Sequence, residues 1–429
     1  MRTKLTMFTG LLAGLLGAAC GDDQSDGTPG GSVTSTSGAT GGSGGAGASG
    51  GSGGATSSST TGGSGGGGGG IIVEPPTCVD PSDLPAWRQG MAIGEWKHLP
   101  SAALTEVTPA VQPGGGYYGR IDAWNGFAAD TVNSRIYLGT AGGHMDYAGN
   151  EVYVLDLTVA APQWELTMEP SPASEYTVDQ PYYLDGRPSP THTYYTAWFI
   201  EQRGKFFRFA GAATWGSGNG STPHIDSWDP ATSEWDPAGT NPDMGPAPIF
   251  EMPVAKDVLT GEVYQLQGNN RLYRWDPQTN STSDLGEVEG GSGSFYDVEA
   301  SASVVDVQGG RVIFFLDDEN PGSARIYDIA SGTFTTAPLG GPGAAAVADA
   351  QAMAWFDVCA AMIVIKTTTG GEVFFVDPST LVASPLPVSG ATLPDPLNGV
   401  HTLFQYVPKL GGYAYQPTHD AGMYFLATQ

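Results

Sequence analysis

The sequence predicts an all-β domain built from a repeated unit, and three observations support this prediction. Apolar residues show almost no helical period, which argues against amphipathic helices. The 64 glycines and 32 prolines of the 429-residue chain divide it into short β-branched and aromatic runs, among them SRIYLGT, NEVYVLDL and RVIFFLDD. Such runs are typical of short strands between tight turns. Five of them end alike, which indicates a structural repeat.

The first element in the chain is a predicted signal peptide over residues 1–19. Arg2 and Lys4 precede the apolar run MFTGLLAGLLGAA, which is too short to span a bilayer, and small residues precede Cys20. Cys20 resembles the lipidation site of bacterial lipoproteins. This resemblance implies a lipid anchor in the outer membrane or at the cell surface of a Gram-negative bacterium. Cleavage nearby without lipidation, which gives a secreted protein, is the alternative.

Residues 20–76 are predicted to be a disordered linker that follows the lipidated cysteine. Glycine, serine, threonine and alanine dominate this segment, so it has almost no apolar surface to bury. A flexible chain of this length holds the next domain about 40 Å from its anchor. The remaining residues, 77–429, are predicted to form the folded domain.

The charge of the chain excludes one class of partner. With 44 acidic and 17 basic residues, the net charge is −27. A surface this acidic repels DNA, RNA and anionic polysaccharides, so we expect no nucleic-acid partner.

The repeat is marked by an aspartate at the end of each strand-like run. The residues are Asp156, Asp229, Asp276, Asp328 and Asp377, at steps of 73, 47, 52 and 49 residues. Each is followed by proline or a small residue, a context in which the carboxylate accepts hydrogen bonds from the next backbone amides in a tight turn. A weaker strand is predicted after each turn.

These repeats resemble the kelch family of β-propellers, a superfamily that includes the central domain of galactose oxidase. The resemblance rests on the double glycine Gly142-Gly143 and on the aromatic pairs Trp228/Trp235 and Tyr327/Phe334. It implies a β-propeller of kelch type, and the five marked units with the C-terminal run MYFLAT give six blades. A sandwich of similar strands is the structural alternative.

The sixth blade stops after three strands, so the N-terminal segment GEWKHLP is predicted to supply its fourth and close the ring. Closure removes the exposed strand edge, and we expect a monomer. The topology brings Cys78 and Cys359 to the lower face, one blade apart, and predicts a disulfide between them in an exported protein. Two separate buried thiols are the alternative.

Candidate functional residues concentrate on the face that carries the loops between second and third strands and the links between blades. Long irregular loops on a rigid scaffold are usual places for function. The stretch AGGHMDYAGN and the long link that follows blade one contribute most of them. The predicted ligand-binding residues are Asp146, Tyr182, Tyr183, Trp215, His224 and His419.

A second set of candidates comes from aligning the upper ends of the innermost strands, which places polar residues around the mouth of the central channel. The set is Asp122, His192, Glu251, Glu299, Gln351 and His401. No cofactor is firmly implied and no residue is assigned as a metal ligand. A divalent cation such as Ca²⁺ remains an open alternative, either at this mouth or at Asp317, Asp318 and Glu319. The competing interpretation is a polar lining for a water-filled channel.

The function predicted from these features is a surface-anchored binding module that holds a neutral glycan or a protein partner on its loop face. The alternative is a polysaccharide lyase, in which histidine and tyrosine act as acid and base and an arginine neutralises a uronate. Its candidate residues are His144, Tyr147, Arg187, His192 and Tyr194. A copper oxidase of galactose oxidase type is disfavoured, because neither Cys78 nor Cys359 maps to the loop face. Whether any catalysis occurs is left open by the sequence.

Overall fold

A computed structural model describes residues 77–110, 113–216, 221–246, 252–288, 302–316, 322–348 and 351–429. Six separate sheets of mainly antiparallel strands form a six-bladed β-propeller, which confirms the predicted architecture and blade count. Kelch membership stays a prediction. The predicted signal peptide, Cys20 and the linker lie outside the described residues. Within the described ranges, no helix has the length and apolar character needed to cross a membrane.

Each blade is numbered in chain order, and its strands are numbered from the channel outward. Blade 1 contains Ala128–Asp130, Arg135–Gly139, Val152–Asp156 and Trp164–Met168. Blade 2 contains Ala197–Ile200, Lys205–Gly211, Thr222–Asp229 and Glu234–Trp235. Blade 3 contains Val254–Lys256, Val263–Gln267, Arg271–Asp276 and Ser281–Glu287. Blade 4 contains Ser303–Asp306, Arg311–Leu316, Ser323–Asp328 and Thr333–Pro338. Blade 5 contains Met353–Asp357, Met362–Lys366, Val373–Val376 and Ala383–Pro385. Blade 6 contains Phe404–Val407, Gly412–Tyr415, Met423–Ala427 and the N-terminal strand Glu95–Leu99.

The N-terminal strand closes the ring as predicted. Glu95–Leu99 pairs antiparallel with Met423–Ala427, with Trp96 opposite Leu426 and Leu99 opposite Met423. A short strand that the sequence did not reveal, Ser389–Gly390, pairs in parallel with its outer edge. The described edge of the last blade is therefore partly covered, which limits edge-to-edge association.

The five repeated aspartates perform the turn function that their context predicts. Each carboxylate accepts a hydrogen bond from an amide two or three residues later, at 2.7–2.9 Å. The pairs are Asp156 with Thr158, Asp229 with Ala231, Asp276 with Gln278, Asp328 with Ser331 and Asp377 with Ser379. A second set, at the turns between first and second strands, uses Asp130, Asp257, Asp306 and Asp357 in the same way. This second repeat was not predicted from the sequence.

Aromatic side chains fill the spaces between blades and also the centre of the ring. Tyr137 of blade 1 stacks on Phe199 of blade 2, with ring centroids 5.1 Å apart. Across the axis, Trp198 of blade 2 meets Trp355 of blade 5 edge-to-face at 5.2 Å. Two tryptophan side chains therefore meet at the centre of the ring, where the sequence considered a polar lining for a water-filled channel.

The predicted disulfide between Cys78 and Cys359 is present. Cys359 follows Asp357, whose carboxylate accepts a hydrogen bond from the hydroxyl of Tyr406 at 2.9 Å. Nearby, the guanidinium of Arg88 donates to the carbonyl oxygens of Leu410 and Gln429, both at 2.7 Å. The start and end of the domain are thus both fastened to the lower face.

Candidate functional site

Three sequence-predicted residues meet on the loop face where blade 1 joins blade 2. His144 and Asp146 lie in the loop between strands two and three of blade 1, and His192 lies in the link to blade 2. The Nε2 atom of His192 is 2.9 Å from Oδ2 of Asp146. The imidazole of His144 stands edge-to-face against that of His192, with ring centroids 5.7 Å apart. One ligand-type atom from each of the three residues lies within 4.8 Å of the others.

The backbone that presents these side chains is held in an unusual conformation. Gly142, Gly143, His144 and Met145 have φ values of 146°, 86°, 39° and 65° in succession. A Cβ atom on Gly143 would lie 2.1 Å from the carbonyl oxygen of Ala213, so the loop contacts blade 2 only because this residue is glycine. The amide of His144 then donates to that same carbonyl at 3.0 Å. The double glycine thus fixes His144 against blade 2.

His192 is buried and connects Asp146 to a tyrosine. Its Nδ1 atom lies 3.2 Å from the hydroxyl oxygen of Tyr194, on the opposite side of the ring from Asp146. The indole of Trp124 covers the imidazole, with centroids 5.1 Å apart. Burial lowers the pKa of His192, and the hydrogen bond to Asp146 opposes that shift. The neutral ring is therefore the favoured form.

The channel-mouth candidates do not form one ring in the structure. Asp122 pairs with His419, whose Nδ1 atom is 2.6 Å from the carboxylate. Burial raises the pKa of Asp122 against the opposing effect of this contact. Gln351 accepts a backbone hydrogen bond from His401 at 3.3 Å, whereas Glu251 and Glu299 lie outside the described residues.

His401 sits below the cluster and is separated from His192 by an aromatic ring. Tyr194 contacts both imidazoles edge-to-face, at centroid distances of 5.7 Å to His192 and 5.3 Å to His401. Burial lowers the pKa of His401 to about 3. His192 and His401, which the sequence register placed in the same ring, are thus separated by Tyr194, and His192 adjoins His144 instead.

The other predicted ligand-binding residues lie around this cluster with polar partners of their own. The hydroxyl of Tyr182 donates to Asp226 at 2.9 Å, and its ring stacks on His224. His224 lies 2.7 Å from Asp243 through Nδ1. The hydroxyl of Tyr183 donates to the carbonyl of Ala148 at 2.7 Å, and Trp215 is half-buried. Asp317, Asp318 and Glu319, the second calcium candidate, lie outside the described residues.

Two candidates for lyase chemistry point away from the cluster. The hydroxyl of Tyr147 is buried and donates to Glu151 at 2.6 Å. Arg187 lies near Asp185, at 3.6 Å, and donates to the carbonyl of Glu169. Among the described residues, neither Arg187 nor Arg120 contacts His144, Asp146 or His192.

Beneath the loop lies a buried network that the sequence analysis did not identify. Glu151 accepts hydrogen bonds from Tyr147 and Tyr153 on one carboxylate oxygen, at 2.6 and 2.8 Å. Arg120 donates to the hydroxyl of Tyr153 at 2.7 Å and lies over the rings of Tyr117 and Tyr153. In the sequence, the only sign of this network was a charged residue, Glu151, at the start of the strand-like run NEVYVLDL.

The carboxyl group of Glu151 makes a pH-dependent contribution to stability. Burial raises its pKa above the ordinary value of 4.5. Above that value the unfolded chain releases a proton that the folded chain retains, so the free energy of unfolding falls as pH rises. We expect Glu151→Gln to preserve an acceptor for both tyrosine hydroxyls and to remove this slope. Urea unfolding between pH 5 and pH 8 measures it, and an unchanged slope in the variant would contradict the prediction.

In chemical terms, the cluster offers two imidazoles and one carboxylate on an accessible face. These donors suit a metal ion, and the chain of contacts from Asp146 through His192 to Tyr194 suits proton transfer. The described residues add no guanidinium that could neutralise a substrate carboxylate there.

Comparison with solved structures finds several similar chains at low sequence identity. One is a protein of unknown function from Bacteroides thetaiotaomicron, with a TM-score of 0.47, 13% identity, and coverage of 77% of this chain and 75% of that one. Another is a copper-bound fungal alcohol oxidase of the AA5 family, with a TM-score of 0.38 and 16% identity; the match covers 63% of this chain and 54% of the oxidase. A third is a chain of the mitotic checkpoint complex, with a TM-score of 0.43 and 9% identity, covering 80% of this chain and 96% of that one. No protein-family model matches the chain, and no curated protein matches it.

Proposed function

We propose that this protein is a surface-displayed binding module that holds a neutral glycan or a protein partner on the loop face where blades 1 and 2 meet. The observation that carries the proposal is the His144–Asp146–His192 cluster, which a loop of blade 1 and the link to blade 2 bring together. Backbone strain of this kind concentrates at functional sites. A β-propeller supports binding or scaffolding in general, and the partner is inferred from the site.

The surroundings of the cluster favour a ligand with both apolar and polar surface. Met145 is 62% exposed between two of the cluster residues, and Leu184 of the neighbouring link is 72% exposed. Tyr118, on the link into blade 1, is 50% exposed. Exposed apolar and aromatic side chains beside polar groups match the C–H faces and hydroxyls of a sugar, or a mixed protein epitope.

A divalent cation forms part of this proposal. The sequence placed it at the channel mouth or at Asp317, Asp318 and Glu319. Among the channel-mouth candidates that the structure describes, His192 alone joins two further metal-ligand side chains, so we propose the cation at His144, Asp146 and His192.

Display at the cell surface is the second part of the proposal, and it rests on the N-terminal sequence. A lipidated Cys20 and a linker of residues 20–76 would hold the propeller clear of the membrane. The disulfide agrees with folding in an oxidising compartment.

The enzyme alternatives have less support. For a lyase, Asp146, His192 and Tyr194 could act as an acid–base relay. Arg187, the residue predicted to neutralise the substrate carboxylate, instead pairs with Asp185. A copper oxidase of galactose oxidase type needs a cysteine bonded to a tyrosine, and both candidate thiols are joined to each other.

A glycan array probed with the full chain tests the binding proposal. We expect a neutral glycan to bind and the variants Met145→Asn and Asp146→Asn to weaken it about tenfold, or about 1.4 kcal/mol. Val159→Asn is the matched control, since Val159 is exposed at a turn on the opposite face. Binding that is lost in the control and kept in the two site variants would contradict the assigned face. Unsaturated products from uronate polymers, measured by ultraviolet absorbance, would instead support the lyase.

A further inference from the structure

We infer that His144, Asp146 and His192 bind a first-row transition-metal dication such as Zn²⁺ in preference to Ca²⁺, and leave coordination positions open on the loop face. The inference deepens the proposed function, because it rests on the same site and names the kind of ion that would contact the ligand.

The donor set decides the class of ion. Two imidazole nitrogens and one carboxylate oxygen are ligands typical of zinc and its first-row neighbours. Calcium takes about six to eight oxygen ligands, and the three side chains that meet here offer oxygen from Asp146 alone. Calcium, which the sequence left open at the channel mouth or at Asp317, Asp318 and Glu319, therefore does not suit this cluster.

The spacing is close to what such an ion requires. Zinc bonds of about 2.0–2.2 Å place neighbouring ligand atoms roughly 3–3.6 Å apart. Nε2 of His192 is already 2.9 Å from Oδ2 of Asp146. The third donor, on His144, lies within 4.8 Å of both, and its imidazole makes no hydrogen bond among the described residues. A small rotation of this partly exposed side chain would complete the site.

The loop backbone favours the same arrangement. His144 and Met145 are non-glycine residues held at φ values of 39° and 65°, in the left-handed region that such residues rarely adopt. The amide of His144 is fixed by the carbonyls of Ala213 and Thr214, at 3.0 and 3.3 Å. The Cα position of His144 is therefore set before any ion binds, which lowers the entropy cost of assembling the ligands.

Tyr194 allows His192 to bind the metal without losing a hydrogen bond. When Nε2 donates to Asp146, Nδ1 accepts a hydrogen bond from the hydroxyl of Tyr194. When Nε2 coordinates a metal, the ring proton moves to Nδ1, which then donates to the same hydroxyl. Tyr194 is thus a positioning residue that serves both tautomers, as the outer partners of metal-bound histidines do.

Three protein ligands leave one or more positions for water or for an oxygen atom of a ligand. Asp146 is partly exposed, and Met145 between the two loop ligands projects into solvent. The open side of the ion would therefore face the surface that we propose for binding.

The experiment uses the full chain without a polyhistidine tag, stripped with a chelator and titrated calorimetrically with Zn²⁺ and, separately, Ca²⁺. We expect one Zn²⁺ to bind per chain. The separate Ca²⁺ titration should show much weaker binding. His144→Gly keeps the left-handed backbone while removing a donor, and Asp146→Asn keeps the side-chain shape; both should abolish tight binding. Tyr194→Phe should weaken binding about 10–100-fold.

His224→Ala is the matched control, because it removes a histidine that also pairs with an aspartate, Asp243, but has no third ligand beside it among the residues that the structure describes. Zn²⁺ binding in this variant should be unchanged. As a second readout, electron paramagnetic resonance of bound Cu²⁺ should show two coupled imidazole nitrogens in the natural protein and fewer than two in His144→Gly at the same copper concentration. Circular dichroism spectra establish that each variant is folded.

Three results would overturn the inference: a Cu²⁺ spectrum unchanged by His144→Gly, equal affinity for Ca²⁺ and Zn²⁺, or loss of binding in His224→Ala. The metal titration contains no glycan or protein ligand, so its failure is separate from that of the proposed function. Zn²⁺ binding with the expected variant pattern supports the inference even if the glycan array is blank.

Discussion

Replacing Cys78 and Cys359 with serine is expected to lower the free energy of unfolding by about 4 kcal/mol. The disulfide joins residues separated by 281 positions, so it removes the entropy of a very large loop from the unfolded chain. It also fastens the N-terminal segment that leads into the closing strand to blade 5. Equilibrium unfolding in guanidinium chloride, with the natural protein and the double variant side by side, measures the loss.

Reduction provides the control for this prediction. Dithiothreitol should destabilise the natural protein by a similar amount and leave the double-serine variant unchanged. A double variant with the stability of the oxidised natural protein would show that the bridge adds nothing to the fold.

Replacing Trp96 with alanine is expected to cost about 3–5 kcal/mol of folding free energy. Trp96 is 2% exposed in the strand that closes the ring. Its indole contacts Phe404 and Tyr415 of blade 6, and its Nε1–H donates to the carbonyl of Gly371 in blade 5 at 3.0 Å. The substitution therefore leaves a cavity and an unpaired carbonyl at the seam between the last two blades. Thermal and denaturant unfolding measure the change.

Lys97→Ala is the control on the same strand, because Lys97 is partly exposed whereas Trp96 beside it is buried. Surface substitutions usually change stability by about 0.5 kcal/mol or less. If both variants were equally mild, the N-terminal strand would be a dispensable addition to a ring that is stable without it. If Trp96→Ala also forms dimers, the exposed edge of Met423–Ala427 is the expected contact.

The repeating parts of this protein could be predicted because their cause is local. An aspartate that accepts hydrogen bonds from the amides just after it needs no distant partner, so Asp229 or Asp276 marks its turn wherever the blade lies. Five such turns, with the C-terminal run MYFLAT as a sixth unit, predicted six blades, and the missing fourth strand of the last blade predicted the closing role of GEWKHLP. The disulfide could be predicted from that topology, because the order of the strands places Cys78 and Cys359 on the same face, one blade apart.

The candidate site could be predicted only as a set of residues on one face. The sequence grouped His192 with His401, whereas the structure inserts Tyr194 between them and brings His144 alongside. That choice depends on the positive φ values of His144 and Tyr194, which turn each side chain in a direction that strand alternation does not predict. The direction of Tyr147 could not be predicted either, because its hydroxyl turns inward and donates to Glu151.

By itself, the sequence determined the all-β architecture, the number of blades, the strand that closes the ring and the bridge between Cys78 and Cys359. The tertiary structure alone decided that the centre of the ring is packed by Trp198 and Trp355, and that His144, Asp146 and His192 share one site. The physical reason is distance along the chain. Turns and strand periods are set by neighbours a few residues apart, whereas His192 meets Asp146 only because blade 2 packs against a loop of blade 1 in a left-handed conformation.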